Sequence, residues 1–436
     1  MKWFAMKIIF LLTLAMFVSY SLEEEPLHSY FKKEEVSKST PHLTSPHERG
    51  GISSLPSLHR EGLGEGWNHK NYTKVSLEEG VRIQKIMAPF PQDSVTRIVV
   101  VGDTGIGERA YHPGFVAVQR AMRRTKAEAL LHLGDFVYQP EFFPSSCPDR
   151  YVKEIKETLS DPYPIKLFVV GDNDLPPKEW KPKASGCWNK INHLDSRFDT
   201  PGPRPLEGTR VIGNALIGVI HNYPWKDPTP WLAPRILEAR KKGMWVILAV
   251  HEPAITTAWY LEKRKSVFKQ LNALKPDIVL AGNQHSYERF HPTGPVEEGA
   301  FRVSKSESGK YESGEGTMHI VSGGGGATFK PFADLQKNEK RTAPKEIFDA
   351  LAKRALMNHF ITLDVSNEKL EGQVWRVCVE DDPQDKWDPR WKANKNFWQT
   401  IPLECDGRPE GVDVYEKFEI VKKPRKPYLV NPELSP

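Results

Sequence analysis

Five apolar runs in this sequence each end abruptly in a side chain that can bind a metal ion. Each run reads as a buried strand, and the residues at the five ends are Asp, Asp, Asp/Asn, His and Asn/His in chain order. Carboxylate, amide and imidazole groups of this kind suit Fe, Mn or Zn. Because open α/β sheets bind ligands in the crevice outside the carboxyl ends of their strands, the repetition predicts a ligand site at these strand ends. The runs are TRIVVVGDTG (96–105), ALLHLGDFVY (129–138), IKLFVVGDND (165–174), MWVILAVHE (244–252) and DIVLAGNQH (277–285).

The candidate site residues are the polar side chains at these run ends. A single Gly-Asp pair after an apolar run can be an ordinary turn, in which Asp bonds its own backbone. The same pattern, an apolar run that ends in a polar side chain, recurs along the chain and favours a shared site instead. The candidates are Asp103, Asp135, Tyr138, Asp172, Asn173, Asp174, His251, Asn283 and His285.

The segments between the runs predict an α/β fold. Residues 112–124 and 151–159 have helical spacing, so strands alternate with helices. That alternation is typical of parallel strands joined by crossover helices. Residues 211–221 are predicted to form one strand of a second sheet. The four glycines at 323–326 suggest either a loop that holds phosphate or a plain chain reversal, and the absence of a following Lys-Ser/Thr helix start favours the reversal.

The amino terminus resembles a secretory signal. Lys2 and Lys7 precede an apolar run at 8–18, and small residues follow it at positions 19 and 21. We therefore expect a signal peptide at 1–21 and a secreted or extracytoplasmic protein, with no stable membrane span after the signal is removed. An uncleaved anchor is the alternative, although a membrane-spanning helix usually needs about 20 apolar residues.

Composition sets the remaining boundaries. Residues 22–74 are polar and read as a flexible spacer, 75–380 as the globular domain, and 381–436 as a Pro-rich carboxyl-terminal extension. The formal net charge is +5 without a long basic stripe, which argues against nucleic acid as a partner.

The four cysteines allow three pairings in an exported chain. We favour Cys147–Cys187 with Cys378–Cys405, because the members of each pair are close in sequence. A zinc site is the weaker alternative, since the chain has no C-x-x-C spacing among these residues.

Five motifs, taken in order, resemble the calcineurin-like metallophosphoesterases, and most closely their purple acid phosphatase branch. That branch reads GDxG, GDxxY, GNH[ED], VxxH and GHxH, and the similarity covers roughly residues 96–330. The corresponding motifs here are GDTG (102–105), GDFVY (134–138), GDND (171–174), AVHEP (249–253) and AGNQHSYER (281–289), followed by IVSGGGGA (320–327).

This resemblance implies a four-layer αββα sandwich of two mixed sheets flanked by helices, with two metal ions at the strand ends. The expected metals are Fe together with Zn, Mn or Fe, and a metal-bound hydroxide would attack a small phosphorylated substrate. One metal would be bound by Asp103, Asp135, Tyr138 and His285. The second would share Asp135 and add His251, Asn283 and either Asp172 or Asn173.

Two positions depart from the family pattern. Asn283 stands where the family has His, and the third motif lacks its usual His. Gapless alignment makes Asp172 the ligand and puts Asn173 at the His position, whereas a shift by one residue makes Asn173 the ligand and puts Asp174 there. The expected catalytic residues are accordingly Asn173, Asp174 and His251, with Glu252 or His221 as other replacements for the missing acid.

The sequence thus predicts an exported, metal-dependent phosphoesterase. The alternative is a catalytically weak or inactive relative that binds metal, phosphate or a protein partner, and it is motivated by the same two departures.

Overall fold

The computed structural model describes residues 95–106, 113–138, 147–178, 181, 184–296, 300–379, 404–405 and 408–423. The predicted signal peptide, the spacer and most of the carboxyl-terminal extension lie outside these residues. Among the residues described, no helix combines the length and the apolar character that a membrane crossing requires.

The described strands fall into two sheets. In chain order they are β1 (Thr96–Val101), β2 (Ala129–His132), β3 (Ile165–Phe168), β4 (Thr200–Pro201), β5 (Gly208–Ile212), β6 (Ala215–Val219), β7 (Trp245–Val250), β8 (Ile278–Ala281), β9 (Tyr287–Phe290), β10 (Lys310–Glu312), β11 (Met318–Ser322), β12 (Leu351–Ala355), β13 (Asn358–Val365), β14 (Lys369–Cys378) and β15 (Gly411–Val421).

Short helices connect many of these strands. They are α1 (Pro113–Arg124), α2 (Asp149–Ile155) with a π-helical turn at Lys156–Ser160, α3 (Trp188–Ile191) with a 3-10 turn at Asn192–Leu194, α4 (Thr229–Lys241), α5 (Arg264–Ala273) and α6 (Lys345–Ala350).

Both sheets are mixed. The first has the order β10-β15-β14-β13-β1-β2-β3, and the second has the order β12-β9-β11-β8-β7-β6-β5-β4. Within the first, β1, β2 and β3 are parallel neighbours. Within the second, β6, β7, β8 and β11 are parallel neighbours. The strands that carry the predicted site residues are therefore adjacent and point the same way within each sheet.

Alternate residues of the central strands face different layers, which explains why these strands are apolar throughout. In β1, Ile98 and Val100 pack between the two sheets, together with Ile247 of β7. Val99 and Val101 instead face the layer that contains α1, α2 and α3. The outer face of the second sheet packs on α4, α5 and α6. The predicted four-layer αββα arrangement is confirmed.

Two local expectations have clear outcomes. The preferred disulfides, Cys147–Cys187 and Cys378–Cys405, are both present. The single strand expected at 211–221 is wrong, because β5 and β6 form a hairpin there. Gly213 adopts a φ of 56° in the two-residue turn between them, a conformation that glycine allows at low cost.

Burial of His319 on the second sheet is expected to make the stability of the protein depend on pH. His319 is buried on β11, and its Nε2 lies 2.8 Å from Oδ1 of Asn272 on α5. Burial lowers the pKa of His319 to about 3. Below pH 6.5 the unfolded chain binds a proton that the folded chain does not bind, so stability falls as the pH drops from 6.5 towards 3.

We expect His319→Gln, which keeps a side-chain N–H for Asn272, to remove this dependence. Between pH 6 and 4.5 the free energy of unfolding of the wild type should fall by roughly 1 kcal/mol per pH unit more than that of the variant. Denaturant titrations at several pH values measure the two slopes. Parallel curves for the two proteins would contradict the assignment.

Candidate metal centre

The strand ends bring the predicted ligands of both sheets together. Asp103 follows β1, Asp135 follows β2, and His251 follows β7. Ligand atoms of these three buried residues all lie within 4.8 Å of one another. The expectation that distant runs supply one site therefore agrees with the geometry.

The first half of the site is centred on the hydroxyl of Tyr138. This oxygen lies 2.8 Å from Oδ1 of Asp103, 2.9 Å from Oδ2 of Asp135 and 2.8 Å from Nε2 of His285. Nδ1 of His285 lies 2.5 Å from the carbonyl oxygen of Thr328. A carbonyl can only accept, so Nδ1 carries the proton and Nε2 presents its lone pair to the cluster.

The charges around Tyr138 fit a cation. Burial, and then the carboxylates of Asp103 and Asp135, raise the pKa of Tyr138 well above its usual value. Both neighbours disfavour a phenolate, and a bound cation acts in the opposite direction. The oxygen-rich cluster therefore has the chemistry of a metal site.

The second half of the site is centred on Nε2 of His251. Nδ1 of this ring donates to the carbonyl oxygen of Leu133 at 2.7 Å, which leaves Nε2 as an acceptor. Nε2 lies 3.4 Å from Oδ2 of Asp135 and 3.4 Å from Oδ1 of Asp172. It is buried and has no hydrogen-bond partner within the part of the chain that the structure describes. A buried nitrogen lone pair flanked by two carboxylates is an arrangement that a metal ion would complete.

The electrostatics of His251 agree with this reading. Burial lowers the pKa of His251, but Asp135, Asp172 and Asp103 outweigh burial and raise that pKa well above 6.5. The surrounding charge thus attracts a positive group to the Nε2 position.

Asp172 and Asn173 of the third motif contact different residues of the site. Asp172 faces His251, as described above. Asn173 instead donates to Asp135, from its backbone N–H to Oδ1 at 2.9 Å and from its side-chain Nδ2 to Oδ2 at 2.6 Å. This arrangement favours the gapless alignment, in which Asp172 is a ligand and Asn173 occupies the position of the family's His.

Asp174 is placed differently from the acid that the sequence suggested. Its Oδ2 accepts the backbone N–H groups of Asp135 at 2.8 Å and Gly171 at 2.9 Å, and its Oδ1 accepts that of Phe136 at 2.8 Å. Burial and then the charge of Asp135 raise the pKa of Asp174 to about 8. Because backbone donors occupy both oxygens, the geometry gives Asp174 the role of a brace between the turns after β2 and β3.

Asp174→Asn should therefore reduce stability. The new amide nitrogen would face at least one N–H group, leaving a buried donor unsatisfied, and the free energy of unfolding should fall by about 1–3 kcal/mol. Denaturant unfolding measures the change, with the exposed Asp149→Asn as a control that should unfold at the same denaturant concentration as the wild type. Equal stability of the two variants would contradict the brace.

Asn283 supports the first half of the site through its backbone. Its N–H donates to Oδ2 of Asp103 at 2.8 Å, and its carbonyl accepts from Nζ of Lys330 at 3.1 Å. Asn283 follows β8 with a φ of 64°. The turn after β8 is thereby fixed against the turn after β1.

Sequence reasoning missed Asn222. Its Oδ1 accepts the backbone N–H of His251 at 2.7 Å and that of Glu252 at 3.2 Å. Asn222 directly follows the run at 211–221, so a polar residue after that sixth apolar run was the available signal. It holds the turn that carries His251.

The other replacement acids, Glu252 and His221, each contact a different neighbour. Oε2 of Glu252 pairs with Nη2 of Arg264 at 3.0 Å. The ring of His221 lies 6.0 Å from that of Tyr223, which in turn lies 6.3 Å from that of His251. Glu252 thus directly follows His251 in the chain, whereas His221 is connected to His251 through the ring of Tyr223.

Close backbone contacts explain the glycines around the site. A Cβ atom at Gly171 would lie 2.0 Å from Oδ1 of Asp135. In the 323–326 turn, the N–H of Gly325 donates to the carbonyl of Gly102 at 2.9 Å, and the N–H of Gly323 donates to that of Ser286 at 3.2 Å. Because these groups bond the backbone, the turn matches the plain reversal better than a phosphate-holding loop.

The geometry can be compared with known proteins. Residues 96–287 match the family model of calcineurin-like phosphoesterases, a range that includes every candidate ligand. The chain is 26% identical over 328 residues to "Probable inactive purple acid phosphatase 1" of Arabidopsis thaliana, covering 64% of this chain and 51% of that protein. It is 22% identical over 283 residues to "Phosphoenolpyruvate phosphatase" of Allium cepa, covering 60% and 55%.

A solved structure supports the same fold. Purple acid phosphatase PPD1 from yellow lupin (Lupinus luteus) seeds superimposes with a TM-score of 0.50 at 16% identity, over 77% of this chain and 55% of that one. The chain spans about half the length of the curated relatives it matches. The family match over residues 96–287, the relatives and the fold together support the calcineurin-like metallophosphoesterase superfamily and, within it, the purple acid phosphatase branch.

Proposed function

We propose that the protein is an exported, metal-dependent phosphoesterase that hydrolyses small phosphate esters. The observation that carries the proposal is the buried Nε2 of His251, which has no hydrogen-bond partner among the described residues and faces two carboxylates at 3.4 Å. The two carboxylates draw positive charge to this nitrogen, and a metal ion would supply that charge by taking its lone pair in place of a proton.

Two ions fit the residues on either side of Asp135. Together they would polarise a phosphoryl group and supply a nucleophilic water near neutral pH. We propose Fe at the half that contains the Tyr138 phenol, and Zn, Mn or Fe at the other. The proposed ligands are Asp103, Asp135, Tyr138 and His285 for the first ion, and Asp135, Asp172, His251 and Asn283 for the second.

The chain's own groups would orient this centre. Asn173 donates twice to Asp135 and so fixes the carboxylate that both ions would share. The Leu133 carbonyl holds His251 in the tautomer that binds metal. Asp172 adds a negative charge to the half in which Asn283 replaces an imidazole.

The family, one relative and the disulfides support the proposed substrate and location. Phosphate esters are the substrates of this family, and the name of the Allium cepa relative specifies a small phosphorylated molecule. The two disulfides are compatible with an oxidising compartment, which supports the export predicted from residues 1–21.

Elemental analysis combined with an aryl phosphate assay from pH 4 to 9 tests the proposal. We expect two metals per chain, loss of hydrolysis after chelation, and recovery when metal is restored. Two bound metals without hydrolysis of either mono- or diesters would contradict it.

That negative result would instead support a metal- or phosphate-binding protein. Asn173 is the observation that favours this second candidate, because its amide is occupied by Asp135 and cannot protonate a leaving group as an imidazole would. The names of three Arabidopsis relatives as probable inactive phosphatases point in the same direction.

A further inference from the structure

His132 is a fully buried polar residue at the end of β2, three positions before Asp135. In the sequence His132 lies inside an apolar run, so the motifs do not mark it as a site residue. In the structure it lies directly behind the turns that carry Asp103 and Asp135.

The ring of His132 joins these two turns by hydrogen bonds. Its Nδ1 accepts the backbone N–H of Gly134 at 3.1 Å, so Nδ1 carries no proton. Its Nε2 lies 3.4 Å from Oγ1 of Thr104, whose hydroxyl donates to the carbonyl of Phe136 at 3.1 Å. One neutral imidazole thus contacts the turn after β2 on one edge and the turn after β1 on the other.

Aromatic packing fixes the plane of this ring. The His132 ring stacks on that of Phe136, with centroids 3.6 Å apart and an interplanar angle of 15°. The ring of Phe168 packs edge to face with that of His132, with the two centroids 6.3 Å apart. The direction of the Nδ1 lone pair is therefore set by the core.

The turn that His132 holds has an unfavourable backbone conformation. Gly134 has a φ of 95° and Asp135 a φ of 56°, a region in which a residue with a Cβ atom persists only when its surroundings enforce it. The N–H of Asp103 donates to the carbonyl of Gly134 at 3.0 Å, and that of Thr104 donates to the carbonyl of Asp135 at 3.1 Å. His132 supplies the acceptor at the start of the same turn.

We propose that His132 is a positioning residue of the metal centre, whose Nδ1 holds the Gly134–Asp135 turn so that the Asp135 carboxylate is set for both ions. The inference rests on the ligand roles proposed above for Asp103 and Asp135. A core histidine that contributes stability alone would not affect metal binding. In the proposed role, the metal affinity depends on one acceptor atom, Nδ1 of His132.

Three substitutions separate these two roles. His132→Asn places an amide oxygen close to the position of Nδ1 and keeps the acceptor for Gly134. His132→Gln reaches the position of Nε2 and keeps the contact with Thr104 but loses that acceptor. His132→Leu loses both.

The experiment is a Zn²⁺ titration of the metal-stripped full-length chain, followed by calorimetry, with thermal unfolding of each metal-free variant alongside. Loss of an outer-sphere partner typically weakens metal binding by about 10–100-fold. We expect His132→Gln and His132→Leu to weaken Zn²⁺ binding by about that factor and His132→Asn to stay within about 3-fold of wild type. Should His132→Leu fail to fold, the Asn and Gln pair still gives the comparison.

Unchanged affinity in all three variants would overturn the inference, and so would equal losses in His132→Asn and His132→Gln. A wild-type chain that binds no Zn²⁺ would overturn the proposed centre itself, and this inference with it.

Discussion

Asp135→Asn is expected to weaken metal binding by more than about 100-fold and to abolish phosphate ester hydrolysis. Asp135 is the residue that both halves of the site share, since its Oδ2 lies 2.9 Å from the Tyr138 hydroxyl and 3.4 Å from Nε2 of His251. Asparagine removes the negative charge and turns one ligand oxygen into an N–H donor. Outer-sphere changes already cost about 10–100-fold in affinity, so losing a shared ligand should cost more.

Metal content after dialysis and the aryl phosphate rate measure the effect. Asp149→Asn is the matched control, because Asp149 is exposed and lies outside the site. Asp135→Asn with two tightly bound metals and wild-type turnover would contradict the shared-ligand assignment.

Glu416→Ala is expected to lower the free energy of unfolding by about 3–5 kcal/mol. Glu416 on β15 accepts from Nε and Nη2 of Arg289 on β9, at 2.9 Å and 3.1 Å, and also from the hydroxyl of Tyr287. The pair is buried and joins the two sheets. Removing the carboxylate leaves the guanidinium charge of Arg289 buried, with the hydroxyl of Tyr311 as a neutral contact.

Denaturant unfolding measures the loss of stability in Glu416→Ala, and two other variants serve as comparisons. Glu157→Ala breaks an exposed pair with Lys153 and should cost no more than about 0.5 kcal/mol. The double substitution Arg289→Met with Glu416→Leu should recover most of the loss, because apolar residues of similar volume often replace a buried ion pair at little cost. A loss below about 1 kcal/mol in Glu416→Ala would show that the pair does not hold the sheets together.

The candidate ligands can be proposed from the sequence because their signal is local. Asp103 and Asp135 each follow an apolar run and a glycine, and parallel strands place such ends at one sheet edge. The four-layer architecture came from the ordered motifs rather than from composition. The hairpin at Gly213 was missed although a Gly-Asn pair between two apolar stretches indicates one.

The supporting residues were inaccessible because their roles depend on contacts between distant segments. The sequence offers Asp174 as a candidate catalytic carboxylate, and only the structure shows that it accepts backbone N–H groups from two strand ends. His132 and Asn222 hold ligand turns in the same way, and a sequence pattern does not say which N–H a side chain meets. The Arg289–Glu416 pair joins positions 127 residues apart.

Anomalous diffraction from crystals of the metal-loaded chain tests the central claim most directly. We expect two metal peaks that share Asp135, one bound by Tyr138 and the other by Nε2 of His251. A single peak, or metals bound away from Asp135, would contradict the account of the site.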